Sequence, residues 1–167
     1  MSKAVMLSVR PKWCEKICRG EKTVEVRKTR PKLETPFKCY IYRTKGTVPH
    51  IINDKWVQME VGGTVIGEFT CDRIYELVPL NHAPDDVEQQ ACLTREEIVR
   101  YLKGVGYGWH ISDLKIYDPL KKLSEFKGLC KVESDCCACP YYNYSKMDCE
   151  GRTIKRPPQS WCYVEEM

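Results

Sequence analysis

Residues 4–28 read AVMLSVRPKWCEKICRGEKTVEVRK, and two changes of periodicity inside this stretch decide the fold. AVMLSV, residues 4–9, is an apolar run of strand length with two Val, the pattern of a buried strand. Pro11 opens a helix at the first-turn position, where its missing N–H costs nothing. Trp13, Cys14, Ile17 and Cys18 then fall on one face, and Lys12, Glu15, Lys16 and Arg19 on the other. Gly20 is the expected stop, because glycine takes the left-handed C-terminal conformation without penalty. Residues 22–28 alternate, with Val24 and Val26 pointing one way and Glu25 and Arg27 the other.

Working outward, FKCYIY at 37–42 alternates as well, after a loop bracketed by Pro31 and Pro36. Residues 64–77 (TVIGEFTCDRIYEL) form a long strand-like stretch introduced by Gly62-Gly63 and bent at Gly67. Residues 79–93 carry Pro79, Pro84 and Asp85-Asp86 and read as a loop with at most short helical turns. Thr94 and Glu97 form a capping box for a helix through Ile98, Val99 and Leu102 to Gly104. Strand signals return at 108–118 (GWHISDLKIYD) and 161–164. Strands outnumber helices and arrive from many separate places. The economical arrangement is α+β, a small mixed β-barrel flanked by two or three helices.

The chain has 167 residues, the usual size of one domain, and 1–167 is read as a single unit. Mean hydropathy is −0.48, and no apolar run approaches the ~18 residues of a membrane span. The first apolar stretch meets Arg10 and Pro11 too early for a signal peptide. Ten Tyr and four Trp supply large side chains for a core, which argues against disorder. A compact, cytoplasmic protein without a membrane partner is expected. Residues 1–45 hold thirteen Lys and Arg against four Glu, a balance of +9; with the whole chain at +4, residues 46–167 carry −5. That asymmetry suggests a one-sided footprint for a polyanion, if the basic residues share a face, and scattered solubilising surface if they do not.

Gly20-Glu21-Lys22-Thr23-Val24-Glu25-Val26-Arg27 fits the G-x-K-x-x-E-x-R signature of the ASCH domain, a branch of the PUA-like superfamily. SVRP before the helix, and VIGEFTCDRI, WHISDLKIYD and PPQSWCYVEE in that order, look like further blocks of ASCH proteins from bacteria and phages. The chain resembles that family over roughly 1–128 and 157–165, while about 130–156 looks like a family-variable, Cys-rich insertion. The resemblance implies a PUA-like barrel whose signature lines a cleft, a role in RNA or nucleotide binding, and a bacterial or phage source. It also implies an enzymatic alternative. One branch removes the acetyl group from acetylcytidine with a Lys, a Thr and a Glu, and nuclease activity has been proposed for another. Lys22 matches the first position, Glu25 stands where the Thr would be, and Glu68 is the candidate for the third. If the chain is an enzyme, Lys22, Glu25 and Glu68 are therefore the candidate catalytic residues of a hydrolase on nucleosides or RNA phosphodiesters.

The residues themselves support a binding site. Glu25 and Arg27, two apart on a strand, project to one side and can pair or hold one ligand jointly. A guanidinium offers a planar fork to phosphate or a base edge, and a carboxylate can position it. The alternative is an ordinary surface pair worth ~0–1 kcal/mol. Arg10 and its basic neighbours would attract a nucleic-acid backbone. Trp109-His110 and Gln159-Ser160-Trp161 are candidates for stacking and hydrogen bonding to bases, with core packing of the Trp residues as the alternative. No Ser-His-Asp, H-E-x-x-H or G-x-x-x-x-G-K-[ST] pattern is present.

Eleven cysteines without a secretory signal point away from a disulfide framework. Cys14, Cys18, Cys39, Cys71 and Cys92 sit in apolar settings where a thiol acts as a small hydrophobe. Five others crowd into 130–149. Cys136-x-x-Cys139 has the spacing for convergent thiolates, and Cys130 and Cys149 complete a Cys₄ set for structural zinc. Reduced or oxidised thiols and an iron–sulfur cluster are the alternatives. The segment also offers a third function class, an adaptor docking a protein partner.

Overall fold

The structure is a computed structural model and describes residues 2–78, 83–130 and 139–167. In chain order the first elements are β1 (Lys3–Val9), α1 (Pro11–Cys18), β2 (Val24–Arg27), β3 (Phe37–Arg43), β4 (Gly46–Ile52) and β5 (Lys55–Val61). They are followed by β6 (Thr64–Cys71), β7 (Ile74–Leu77), α2 (Val87–Ala91), α3 (Arg95–Leu102), β8 (Gly106–His110) and β9 (Ser112–Lys122). The last are β10 (Tyr142–Asn143), β11 (Asp148–Cys149) and β12 (Trp161–Glu165).

A five-stranded sheet runs β12-β1-β3-β6-β9, with β1 parallel to β3 and antiparallel to β12. Val5, Leu7 and Val9 enter one apolar cluster and Ala4 and Met6 another, so β1 is buried on both faces. That is why its sequence is a continuous apolar run and not an alternation. A second sheet runs β2-β8-β7. Trp109 and Ile111 pack with Val5, Leu7, Ile41 and Phe69, which puts the main core between the two sheets. On the far side of the second sheet, Val24, Val26 and Leu77 meet Val87, Ala91, Ile98 and Leu102 of α2 and α3. Burying a Val, Leu or Ile side chain of this kind contributes about 1.5–3 kcal/mol relative to exposure.

The helices begin and end as their residues dictate. Pro11 opens α1, and Gly20, at φ +72°, lets the Gly20 and Glu21 amides return to Ile17 O and Lys16 O, at 2.9 Å each. At α3, Thr94 Oγ1 accepts from the Glu97 amide at 3.2 Å, and Glu97 Oε2 accepts from the Thr94 amide at 2.8 Å, a complete capping box.

The architecture is mixed α+β, but the sheets do not close into the expected barrel; β12 and β9 are the outer strands of the larger sheet. The two long strand-like stretches explain why. Residues 64–77 divide at Asp72-Arg73 into β6 and β7, and the stretch expected at 108–118 is longer, 106–122, and divides at Ile111 into β8 and β9, each half joining a different sheet. The corners are stitched by the His110 amide to Arg73 O at 2.9 Å and the Ile111 amide to Thr23 O at 2.8 Å. The bend expected at Gly67 is present as a shift of register on both neighbouring strands. A Cβ there would lie 2.4 Å from Lys115 O. The β4–β5 hairpin has no counterpart in the sequence reading. Its signal was Asn53-Asp54, whose positive φ values of 50° and 60° are those of a two-residue hairpin turn. Of the dispersed cysteines, Cys14, Cys39 and Cys71 are buried as expected, whereas Cys18 is exposed and Cys92 is half-buried.

Candidate ligand-binding cleft

β2 is short, but it carries the chemistry. Alternation predicts Val24 and Val26 inward and Glu25 and Arg27 outward, yet all four are buried. The outward face of β2 is covered by chain from distant parts of the sequence. Lys22, 2% exposed, leaves the stop after α1 and donates from Nζ to Ala91 O, at the end of α2, at 2.6 Å. Arg27 Nη2 donates to Ser8 O at 2.8 Å, where β1 ends. Its Nη1 donates to Ser160 O at 3.1 Å and to Ser160 Oγ at 3.2 Å. Ser160 sits on a strap that is itself pinned to β1, by the Ser8 amide to Ser160 O at 2.9 Å and Ser8 Oγ to Pro158 O at 2.6 Å.

Between these anchors lies Glu25, 7% exposed. One carboxylate oxygen is 2.7 Å from Arg27 Nη2 and the other 3.4 Å from Lys22 Nζ. Two buried cations thus share one anion. Burial pushes the Lys22 ammonium below its ordinary value, with Glu25 pulling the other way. In place of the ordinary surface pair that was the alternative reading of the sequence stands a desolvated triad with one positive charge in excess.

The triad forms the wall of a cavity of about 480 Å³. Arg10, Lys12, Trp13 and Thr44 line it from one side, Glu97 and Tyr101 of α3 from another, and Gln159 from the strap. Lys12 Nζ stands 4.3 Å from the Trp13 ring centre and Lys22 Nζ 5.0 Å from it. Of the residues singled out from sequence, Arg10, Lys22, Glu25, Arg27 and Gln159 line this cavity, and Ser160 reaches it through Arg27. The aromatic walls of the cavity are Trp13, which reads from sequence as part of the apolar face of its helix, and Tyr101, which the sequence does not single out.

Other candidates lie elsewhere. Trp109 is fully buried, 5.8 Å from Phe37 and 6.0 Å from Trp161 between ring centres, so it is core and offers no face for stacking. Trp161 packs against the same cluster and donates from Nε1 to Thr29 Oγ1 at 3.0 Å. His110 points away from the cleft residues and pairs through Nδ1 with Asp72 Oδ1 at 2.6 Å. Glu68 belongs to another group altogether, bonded to Tyr117 Oη and 3.7 Å from Lys38 Nζ. Cys130, Cys139 and Cys149 line a separate cavity, and Cys136 lies outside the described residues. Among the described residues, no three His, Cys, Asp or Glu side chains are grouped to hold a metal ion. No described helix is long and apolar enough to cross a membrane.

No protein-family model matches the sequence, and no curated protein matches it. Solved structures do. The crystal structure of ASCH from Zymomonas mobilis is similar over 98% of this chain and 88% of its own, with a TM-score of 0.59 and 18% identity. A point mutant of that protein is similar over 98% and 89%, with a TM-score of 0.59 and 16% identity. The chain has the ASCH fold. At such identity the likeness concerns the path of the backbone, while the chemistry rests on the cleft residues described above.

Proposed function

We propose that this ASCH chain is a binding module for single-stranded RNA or a nucleotide, held in the cleft walled by Lys22, Glu25 and Arg27. The observation that carries this reading is the buried triad, whose two cations share one carboxylate on the wall of an open cavity. An anionic group entering the cavity offsets the excess charge, and desolvation makes that attraction stronger than it would be on an open surface. Arg10 and Lys12 extend the positive field at the mouth, against Glu97 as the further acid. Trp13 and Tyr101 supply flat apolar surface for a base. The volume, about 480 Å³, falls in the range of small-ligand pockets and suits one nucleotide unit of a strand, not a duplex.

The test is fluorescence anisotropy of a labelled mixed-sequence single-stranded RNA at two salt concentrations. Arg10→Ala and Lys12→Ala are the variants to compare, because Arg27 is tied into three chain segments and its loss would disturb the fold. Binding that weakens with salt, with a slope reduced by about 1 for each substitution, supports the reading. Absence of binding at low salt refutes it for polymeric RNA and leaves free nucleotides.

A second reading, hydrolysis of an amide on a modified nucleoside or of an RNA phosphodiester, has one observation in its favour. Lys22 is a buried amine of lowered proton affinity with a carboxylate 3.4 Å away, an arrangement suited to proton transfer. Against it, Glu25 stands where the amidohydrolases carry a Thr, and Glu68 is outside the cleft. Glu25→Gln would abolish turnover if this reading holds.

A further inference from the structure

We propose that the chain pairs with a second copy of itself through the outer edge of β5, the two β4–β5 hairpins joining into one antiparallel sheet. This inference is independent of the RNA reading. β4 and β5 form a two-stranded sheet that no other described strand joins. A lone hairpin is marginally stable in water, because it has too few strands to cover a face. This one also exposes Ile51, Ile52, Met59 and, at 72%, Trp56.

The register tells its two edges apart. Ile52 and Lys55 close the two-residue turn as a hydrogen-bonded pair, and bonded and non-bonded pairs alternate along an antiparallel ladder. His50–Val57, Val48–Met59 and Gly46–Val61 are therefore bonded within the hairpin. Ile51–Trp56, Pro49–Gln58 and Thr47–Glu60 turn their backbone groups outward. On β4 the middle of that outward row is Pro49, which has no N–H to offer and blocks the edge. On β5 the row is Trp56, Gln58 and Glu60, each with both its N–H and its C=O. Among the described residues no strand pairs with that side of β5. The open edge is β5.

Two copies of β5 laid antiparallel about Gln58 are complementary. Trp56 then lies opposite Glu60 of the second copy and Gln58 opposite Gln58, and each of these pairs exchanges both backbone bonds. A slip of one residue sets outward groups against inward ones and makes no bonds, and a slip of two leaves fewer pairs. Between the bonded pairs, Val57 of each copy meets Met59 of the other in the closer, non-bonded spacing, on the face that holds Val48 and Ile52. No like charges are opposed, and the Gln58 side-chain amides, each both donor and acceptor, meet on the two-fold axis. Charge separates this surface from the cleft. Residues 46–61 carry Asp54 and Glu60 against Lys55, so the hairpin has no excess of positive charge for a polyanion.

The experiment is sedimentation equilibrium of the full, reduced chain over a series of concentrations. A reversible equilibrium between monomer and dimer is expected. Gln58→Pro removes the central outward amide from both copies without breaking a bond within the hairpin, and should weaken dimerisation by ~10–100-fold. Thr47→Pro makes the same change on the β4 edge and should leave the dimer intact. Circular dichroism on heating shows whether each variant is folded. Gln58→Cys tests the register without a proline. Bonded partners have Cα atoms about 5.5 Å apart, within disulfide reach, so mild oxidation should give a dimer linked from 58 to 58 on peptide mass mapping. A wild-type chain that stays monomeric throughout, undiminished dimerisation by folded Gln58→Pro, or loss of the dimer in folded Thr47→Pro would each overturn the assignment. A Gln58→Cys chain that links only through its native thiols would do the same.

Discussion

Glu25→Gln is the most informative single change, because it removes the carboxylate shared by Lys22 at 3.4 Å and Arg27 at 2.7 Å while keeping its shape. Arg27 retains Ser8 O and Ser160, and Lys22 retains Ala91 O, but neither retains a counter-charge. Removing one partner of a buried ion pair costs about 3–5 kcal/mol, a large share of the ~5–15 kcal/mol that holds a typical domain together. For a chain of this length the melting temperature should fall by about 6–20 °C. Lys22→Met is the counter-experiment. It deletes a desolvated ammonium and leaves Glu25 with Arg27, a gain that offsets the ~1–3 kcal/mol of an unmatched Ala91 carbonyl, so the net effect is close to zero. Urea unfolding at neutral pH measures both. A pH series adds the sign. Lys22 titrates lower in the folded chain than its ordinary 10.5, so between the two values the unfolded state binds more protons and stability rises with pH. In Glu25→Gln that rise should begin at lower pH, since the raising influence of Glu25 is gone, and in Lys22→Met it should vanish. The reasoning is refuted if Lys22→Met costs as much as Glu25→Gln, or if Glu25→Gln costs less than ~1 kcal/mol.

Two further outcomes follow from the packing. Tyr101, 43% exposed on the cleft wall, should lose ~1–3 kcal/mol of RNA affinity on substitution by Ala, with stability within about 0.5 kcal/mol of wild type, whereas Trp109→Ala should cost ~3–5 kcal/mol of stability; calorimetry beside anisotropy separates the two. Thr94→Ala breaks the capping box of α3 and should lower stability by ~1 kcal/mol in urea unfolding, without changing the salt slope of RNA binding.

Local chemistry was legible from the chain alone. Pro11, Gly20 and the Thr94–Glu97 box set helix ends through bonds spanning a few residues, and AVMLSV has the composition and length of a buried strand. Strand alternation put Glu25 and Arg27 on one side, and the resemblance to the G-x-K-x-x-E-x-R signature implied that Lys22 joins them. What alternation could not report was burial. Glu25 and Arg27 lie on the polar side of β2, and that side is dry only because Ser8, Ala91 and the strap at Pro158–Ser160 close over it from three remote parts of the chain. The same holds for Trp109, whose place in the core depends on Phe37 and Trp161, and for the strand-like runs that turn between sheets at Asp72-Arg73 and Ile111. Sequence determined which groups meet along the backbone. Tertiary structure decided which of them leave water, because desolvation depends on neighbours that no local pattern names.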